Sequence, residues 1–193
     1  MKASMFLVVF LLVCVAGASA KPSGCDSVHI VSRLVSWGFK SVSHPRKIEA
    51  IIIHSSYNAT TADSFSLKGV LQEYKDAGVS PHYIIDRAGK IYRLVPDGDI
   101  AYQAGRSRLP DGTTNVNAVS IGIEIINTTK DSPTEAQYIS LAKLVRCLES
   151  EYPIKFVLGH KDIAPGRKTD PWNFNWKKFR ALLDEQDRVG KQN

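Results

Sequence analysis

Several familiar signatures are missing from this chain. It has no HExxH motif, no zinc-finger spacing, no internal repeat and no low-complexity tract. No basic helix carries interleaved aromatics, so a nucleic-acid partner is not expected. Cysteine is scarce, at three residues, Cys14, Cys25 and Cys147. Only one long apolar run occurs, from Met5 to Ala16 (MFLVVFLLVCVA). It is shorter than the roughly 20 residues that a bilayer core requires, so no stable membrane span is expected.

What is present at the N-terminus has the layout of a secretory signal peptide. Lys2 supplies a positive start, the apolar run follows, and Ala18-Ser19-Ala20 is a small-residue cleavage pattern. Residues 1–20 are therefore read as a signal peptide, and the mature chain as secreted or periplasmic. Cleavage removes Lys2 and lowers the formal charge from +6 to +5. It also removes Cys14, leaving Cys25 and Cys147 either to pair in an oxidising compartment or to remain free thiols. A chain of 193 residues, 44% hydrophobic and 23% charged, suits one soluble domain. The modest basic surplus suits an acidic polymer as partner.

Residues 21–47 are mixed in pattern and read as an arm, with Val28 to Trp37 partly packed. Ile48 to Ile53 (IEAIII) reads as a buried strand that ends at His54. Leu67, Val70, Leu71 and Tyr74 mark a helix over 64–77, with Gly78 as its stop. His82 to Asp86 and Lys90 to Val95 flank Arg87-Ala88-Gly89 as a β-hairpin. Residues 104–117, rich in Gly, Asn, Arg and Pro, read as a long loop. Val119 to Ile126 (VSIGIEII) is the strongest strand, expected at the centre of the sheet and covered on both faces. Ser132-Pro133-Thr134-Glu135 reads as a capping box for a helix carrying Tyr138, Leu141, Leu144, Val145 and Leu148. A short strand over 155–158, a loop over 161–175 and a helix over 176–188 complete the chain, with 189–193 as a tail. The expected fold is α/β, a central mixed β-sheet flanked by helices.

Three candidate metal ligands stand where strands run out into loops. His54 follows Ile51-Ile52-Ile53, His160 follows Phe156-Val157-Leu158-Gly159, and Asp170 comes ten residues later. A catalytic zinc uses such a set, three His or carboxylate ligands with one open position. The spacing alone does not single this set out from chance histidines.

Five segments, taken in order, carry more. They are Ile51 to Ser56 (IIIHSS), Ser80 to Asp86 (SPHYIID), Ala104 to Ser107 (AGRS), Ser120 to Ile125 (SIGIEI) and Gly159 to Pro171 (GHKDIAPGRKTDP). Together they resemble the N-acetylmuramoyl-L-alanine amidase family, which includes phage endolysin amidases and peptidoglycan recognition proteins. The resemblance runs from about residue 48 to 180. It implies an amidase domain over 48–188 that cleaves the bond between N-acetylmuramic acid and L-alanine in peptidoglycan or muropeptides. It implies Zn2+ held by His54, His160 and Asp170, with Glu124 as acid/base residue and Lys168 supporting the oxyanion. A monomer is expected. Amide hydrolysis needs a base for the attacking water, a proton for the leaving amine and charge stabilisation at the carbonyl oxygen, which these residue types provide.

Each role has a plainer rival: Glu124 as a bonded structural carboxylate and Lys168 as a solvated loop cation. Asp162 is an alternative ligand, but it is expected to hold the loop. His82 is expected to be structural or to line the pocket. Two departures from the family pattern stand out. Gln103 occupies a position where members commonly carry His, and Pro81 matches the catalytic Tyr of one branch, so that branch's mechanism does not transfer. The alternative function is a non-catalytic recognition protein on the same fold, and a further one is a zinc hydrolase acting on an unrelated amide. Non-catalytic relatives tend to lose the third ligand, which Asp170 supplies here. Two sequons, Asn58-Ala59-Thr60 and Asn127-Thr128-Thr129, are read as chance matches.

Overall fold

The computed structural model describes Cys25 and residues 28–190. The expected signal peptide, residues 1–20, and the last residues of the expected tail lie outside the described residues. In chain order the elements are β1 (Ile30–Ser32), β2 (Phe39–Lys40), β3 (Ala50–Ser56), α1 (Leu67–Ala77), β4 (Tyr83–Ile85), β5 (Ile91–Arg93) and β6 (Ile100–Ala101). They continue with α2 (Val116–Val119), β7 (Ser120–Ile126), α3 (Glu135–Glu151), β8 (Phe156–Gly159), α4 (His160–Ile163) and α5 (Trp176–Gly190). Six strands form one mixed sheet in the order β1-β5-β4-β7-β3-β8, and β2 pairs with β6 separately. Only the β4–β5 hairpin is antiparallel within the main sheet. The expected α/β architecture is the one observed.

Strand alternation decides what each face does. On β3 and β7 the odd-numbered Ile51, Ile53, Ile121, Ile123 and Ile125 point to one face. There they bury against Tyr138, Leu141, Leu144, Val145 and Leu148 of α3 and Phe179 of α5. The even-numbered positions point the other way. Ile126 packs with Val70 and Leu71 of α1, and Ala50 and Ile52 pack with Val116 and Ile163 of the two short helices. Helices thus cover both faces, and β7 sits between β4 and β3 as the central strand. His54 and Glu124 are even-numbered and fall on the second face. They are direct register partners across the parallel β3–β7 pair.

The structure revises several element boundaries. Strand β3 continues to Ser56, so His54 lies inside a strand rather than at its end. Pairing with β8 stops at Ile53, but β7 supplies ladder partners as far as Ser56, which keeps the backbone extended past the histidine. Helix α1 starts at Leu67, because the Ser66 side chain accepts from the Gly69 N–H and caps it there. The capping box of α3 is Thr134 with Gln137, two residues beyond the expected one, and Pro133 stays outside the helix. Ser132 precedes Pro133, whose ring disfavours the helical conformation at the residue before it, and its carbonyl accepts from Arg87. The long loop ends in the helical turn α2, and the loop after His160 begins with the turn α4. The arm adds β1 to the edge of the main sheet and is tied to α3 by a Cys25–Cys147 disulfide. Asn58 and Asn127 are wholly buried with their amide nitrogens bonded inside the protein, so neither sequon is open to a glycan in the folded chain.

Candidate active site

The loop carrying Asp170 folds back because glycine stands at 159. A Cβ there would meet Pro171 Cδ at 2.7 Å, so only glycine lets the proline pack that closely. The Gly159 N–H donates to Asp162 Oδ2 (2.8 Å), which gives Asp162 the loop-holding role and not a ligand role. The Lys161 N–H donates to the Asp170 carbonyl (2.8 Å). These contacts bring Asp170 against His160 and, across the sheet, against His54.

The three side chains are buried and converge. His54 Nδ1 lies 3.0 Å from His160 Nδ1 and 3.4 Å from Asp170 Oδ2, and His160 Nδ1 lies 3.2 Å from the same oxygen. Four ligands about 2.0–2.1 Å from a tetrahedral zinc stand about 3.3 Å from one another. The far ring nitrogens are both committed. His54 Nε2 is 2.5 Å from Gln103 Oε1, and His160 Nε2 is 3.2 Å from the Ala104 carbonyl. Both partners are acceptors, so both Nε2 atoms carry the proton. Both Nδ1 lone pairs then face a carboxylate oxygen across the gap. Three acceptors at such distances repel unless a cation sits among them. Burial lowers the His54 pKa below its ordinary value, an effect that Asp170 opposes and His160 reinforces. Burial alone would raise Asp170, but a proton on either Nδ1, in place of a metal ion, would bond the carboxylate, and such contacts with His160 and His54 hold it well below the carboxylate range. The trio is thus a neutral-plus-anionic donor set suited to a divalent metal ion.

Glu124 stands beside this cluster. Its Oε2 is buried and has no hydrogen-bond partner among the described residues. Burial and the negative charge of Asp170 push its pKa up to about 8, against the pull of Ser56, Tyr74 and Lys168. A buried oxygen left without a partner is costly as pure structure. Lys168 and Asp170 line the same cleft of about 260 Å³, together with His54, Glu124, Gln103 and His160. The sequence-predicted residues therefore meet in one place. Val79, Pro81, Tyr102 and Trp172 add an apolar and aromatic border. His82 is fully buried beneath the sheet surface. Its Nδ1 accepts from the Gly122 N–H (3.0 Å), and burial with the nearby Arg46 charge depresses its pKa to about 3. It is a structural histidine.

Sequence reasoning missed the groups that hold this cluster in place. Gln103 was visible only as a departure, with no signal that it bonds His54. Ser120 stood in a motif segment without a sign of its contact, and Asn117 and Arg46 gave no signal, because each acts on chain segments distant from it.

Residues 44–173, more than half of the chain, match the family described as N-acetylmuramoyl-L-alanine amidase. The 1,6-anhydro-N-acetylmuramyl-L-alanine amidase AmpD of Escherichia coli is 43% identical over 111 residues, covering 56% of this chain and 60% of that protein. The chain thus spans less than two thirds of the length of this curated relative. Among solved structures, an AmpD selenomethionine derivative superposes with a TM-score of 0.65 at 30% identity, covering 83% of this chain and 97% of the other. AmiD from E. coli, solved with the substrate anhydro-N-acetylmuramic acid-L-Ala-D-gamma-Glu-L-Lys, gives 0.60 at 28% identity, covering 75% and 65%. Fold, ordered motifs and family match agree, and the chain belongs to the N-acetylmuramoyl-L-alanine amidase family.

Proposed function

We propose that the protein is a zinc-dependent amidase that hydrolyses the bond between N-acetylmuramic acid and L-alanine in peptidoglycan or its fragments. The observation that carries this reading is the convergence of three unprotonated donor atoms at 3.0–3.4 Å beside an unpartnered carboxylate oxygen. His54 and His160 through Nδ1, and Asp170 through Oδ2, would hold the metal. Bound zinc supplies an acidified water and a polarised carbonyl. Glu124 takes the proton of the attacking water and returns it to the leaving amine, a task that its raised pKa suits. Lys168 stabilises negative charge on the carbonyl oxygen from the cleft wall. Tyr102 and Trp172 offer flat surfaces to a sugar or peptide. Beyond Gly105 a second groove of about 410 Å³ is lined by Arg106, Arg108 and Arg167, which suits the carboxylates of a peptide stem. A binding-only reading leaves the retained third ligand and the unpartnered oxygen of Glu124 without a use.

Export is part of the same proposal. The N-terminal layout is that of a cleavable signal ending near Ala20, and a Cys25–Cys147 pair belongs in an oxidising compartment.

The test is release of stem peptides, read by mass spectrometry, from intact peptidoglycan and from anhydro-muropeptides. Release that stops with chelator and returns with zinc is expected. Glu124→Ala should keep one zinc per chain and lose turnover by about 100-fold or more, whereas Asp170→Ala should lose the zinc. Chelator-insensitive release, or none from either substrate, overturns the reading.

A further inference from the structure

Both presumed ligand histidines are oriented from a single short stretch, the turn α2 and the residue that follows it. The Ser120 hydroxyl donates to the Val116 carbonyl at 2.7 Å. A hydroxyl has one proton, so Ser120 Oγ can then only accept. It accepts from Gln103 Nε2 at 2.9 Å. This fixes which end of the Gln103 amide faces the sheet, and Oε1 is left facing His54 Nε2 at 2.5 Å. An amide oxygen only accepts, so His54 carries its proton on Nε2 and presents a lone pair at Nδ1. The proton order runs one way, from His54 through Gln103 and Ser120 to Val116. Were the amide reversed, its N–H would face His54 Nε2 and place the imidazole proton on Nδ1, where it would block a metal.

The second histidine is set from the same place. Asn117 Oδ1 accepts from the N–H groups of Gln103 (3.2 Å) and Ala104 (2.8 Å). One side chain thereby holds the backbone of the residue that orients His54 and of the residue whose carbonyl orients His160. Arg46 in turn donates to the carbonyls of Asn117, Ala118 and Ser120. Ser120 opens one of the five motif segments but carries none of the roles assigned above, and Asn117 lies outside those segments.

We propose that Ser120 and Asn117 are positioning residues that select the Nε2–H tautomer of His54 and His160 and so prepare the site for its metal. This rests on the zinc-site reading. Groups that orient ligand histidines typically carry 10–100-fold in metal affinity.

Two measurements test it. Long-range 1H–15N correlation on metal-free wild-type protein, at a pH where both imidazoles are neutral, should show protonated Nε2 and bare Nδ1 on both rings. Protonated Nδ1 on His54 overturns the proposal, and this reading needs no variant to fold. Zinc affinity, by competition with a chromophoric chelator, should fall about tenfold or more in Ser120→Ala and in Asn117→Ala. Asn117→Asp keeps the acceptor and should recover most of the loss. Gln103→Glu has no amide to reverse, so adding Ser120→Ala to it should change affinity less than about twofold. An equal loss in both backgrounds would show a merely structural serine and overturn the proposal. Tight wild-type binding with no loss in Ser120→Ala sinks this inference alone. A wild-type protein that binds no zinc sinks the zinc site and this inference with it.

Discussion

Glu124 shows most sharply how one residue can work against the fold that carries it. Its carboxyl has a pKa raised to about 8 in the folded protein, against about 4.5 for an unperturbed glutamate. Between those two values the folded state holds a proton that the unfolded state has released. Stability contributed by the neutral carboxyl is full below about pH 4.5 and is lost as pH rises through about 8. Glu124→Gln removes this dependence. The metal-free Gln variant should therefore melt several degrees above wild type at pH 8.5, with the gain vanishing near pH 4. Equal melting temperatures across that range would contradict the raised pKa. The trade of stability for a reactive carboxyl is common at catalytic positions.

At the scale of elements, the parallel pair β3–β7 explains the site's geometry, and Arg46 explains its rigidity. The register His54↔Glu124 sets the presumed ligand and base side by side on one face. Arg46, from the segment just before β3, reaches under the sheet edge and donates to the carbonyls of Asp97 (2.9 Å), Asn117, Ala118 (3.3 Å each) and Ser120 (2.9 Å). Four carbonyls left without that donor are expensive. Arg46→Ala should cost about 3 kcal/mol in urea denaturation, and Arg46→Lys should recover less than half of it, since an ammonium lacks the planar fork. The sequence exposed the strands well, because runs such as IEAIII and VSIGIEII are β-branched and dense. It exposed the hairpin through Gly89, and the ordered motifs contained the residues that converge as His54, His160 and Asp170. It did not expose Arg46, Asn117 or Ser120. Arg46 acts on a carbonyl 74 residues away, and no local periodicity records a contact of that span. The His54 strand-end expectation failed for a related reason. The apolar run stops at Ile53, but the strand is continued by ladder bonds that polar residues make equally well.

Over the whole molecule, the sheet separates support from chemistry. Cys147 lies on α3, whose apolar side packs the face opposite to His54 and Glu124. The disulfide therefore stabilises one side while the cleft opens on the other. Replacing Cys25 and Cys147 together by alanine should lower unfolding stability by about 2–4 kcal/mol. Zinc affinity should stay within about twofold, because none of the cleft residues touches that bridge. A parallel loss of affinity would mean that the two faces are coupled. Among the described residues no helix is long and apolar enough to cross a membrane.

Gly122 ties these scales together. On β7, next to the site, a Cβ at this position would stand 2.5 Å from Gln103 Cγ. The space that glycine leaves is the space in which the glutamine side chain lies. A methyl group at position 122 would therefore displace Gln103, and with it the oxygen that faces His54, without touching the histidine itself.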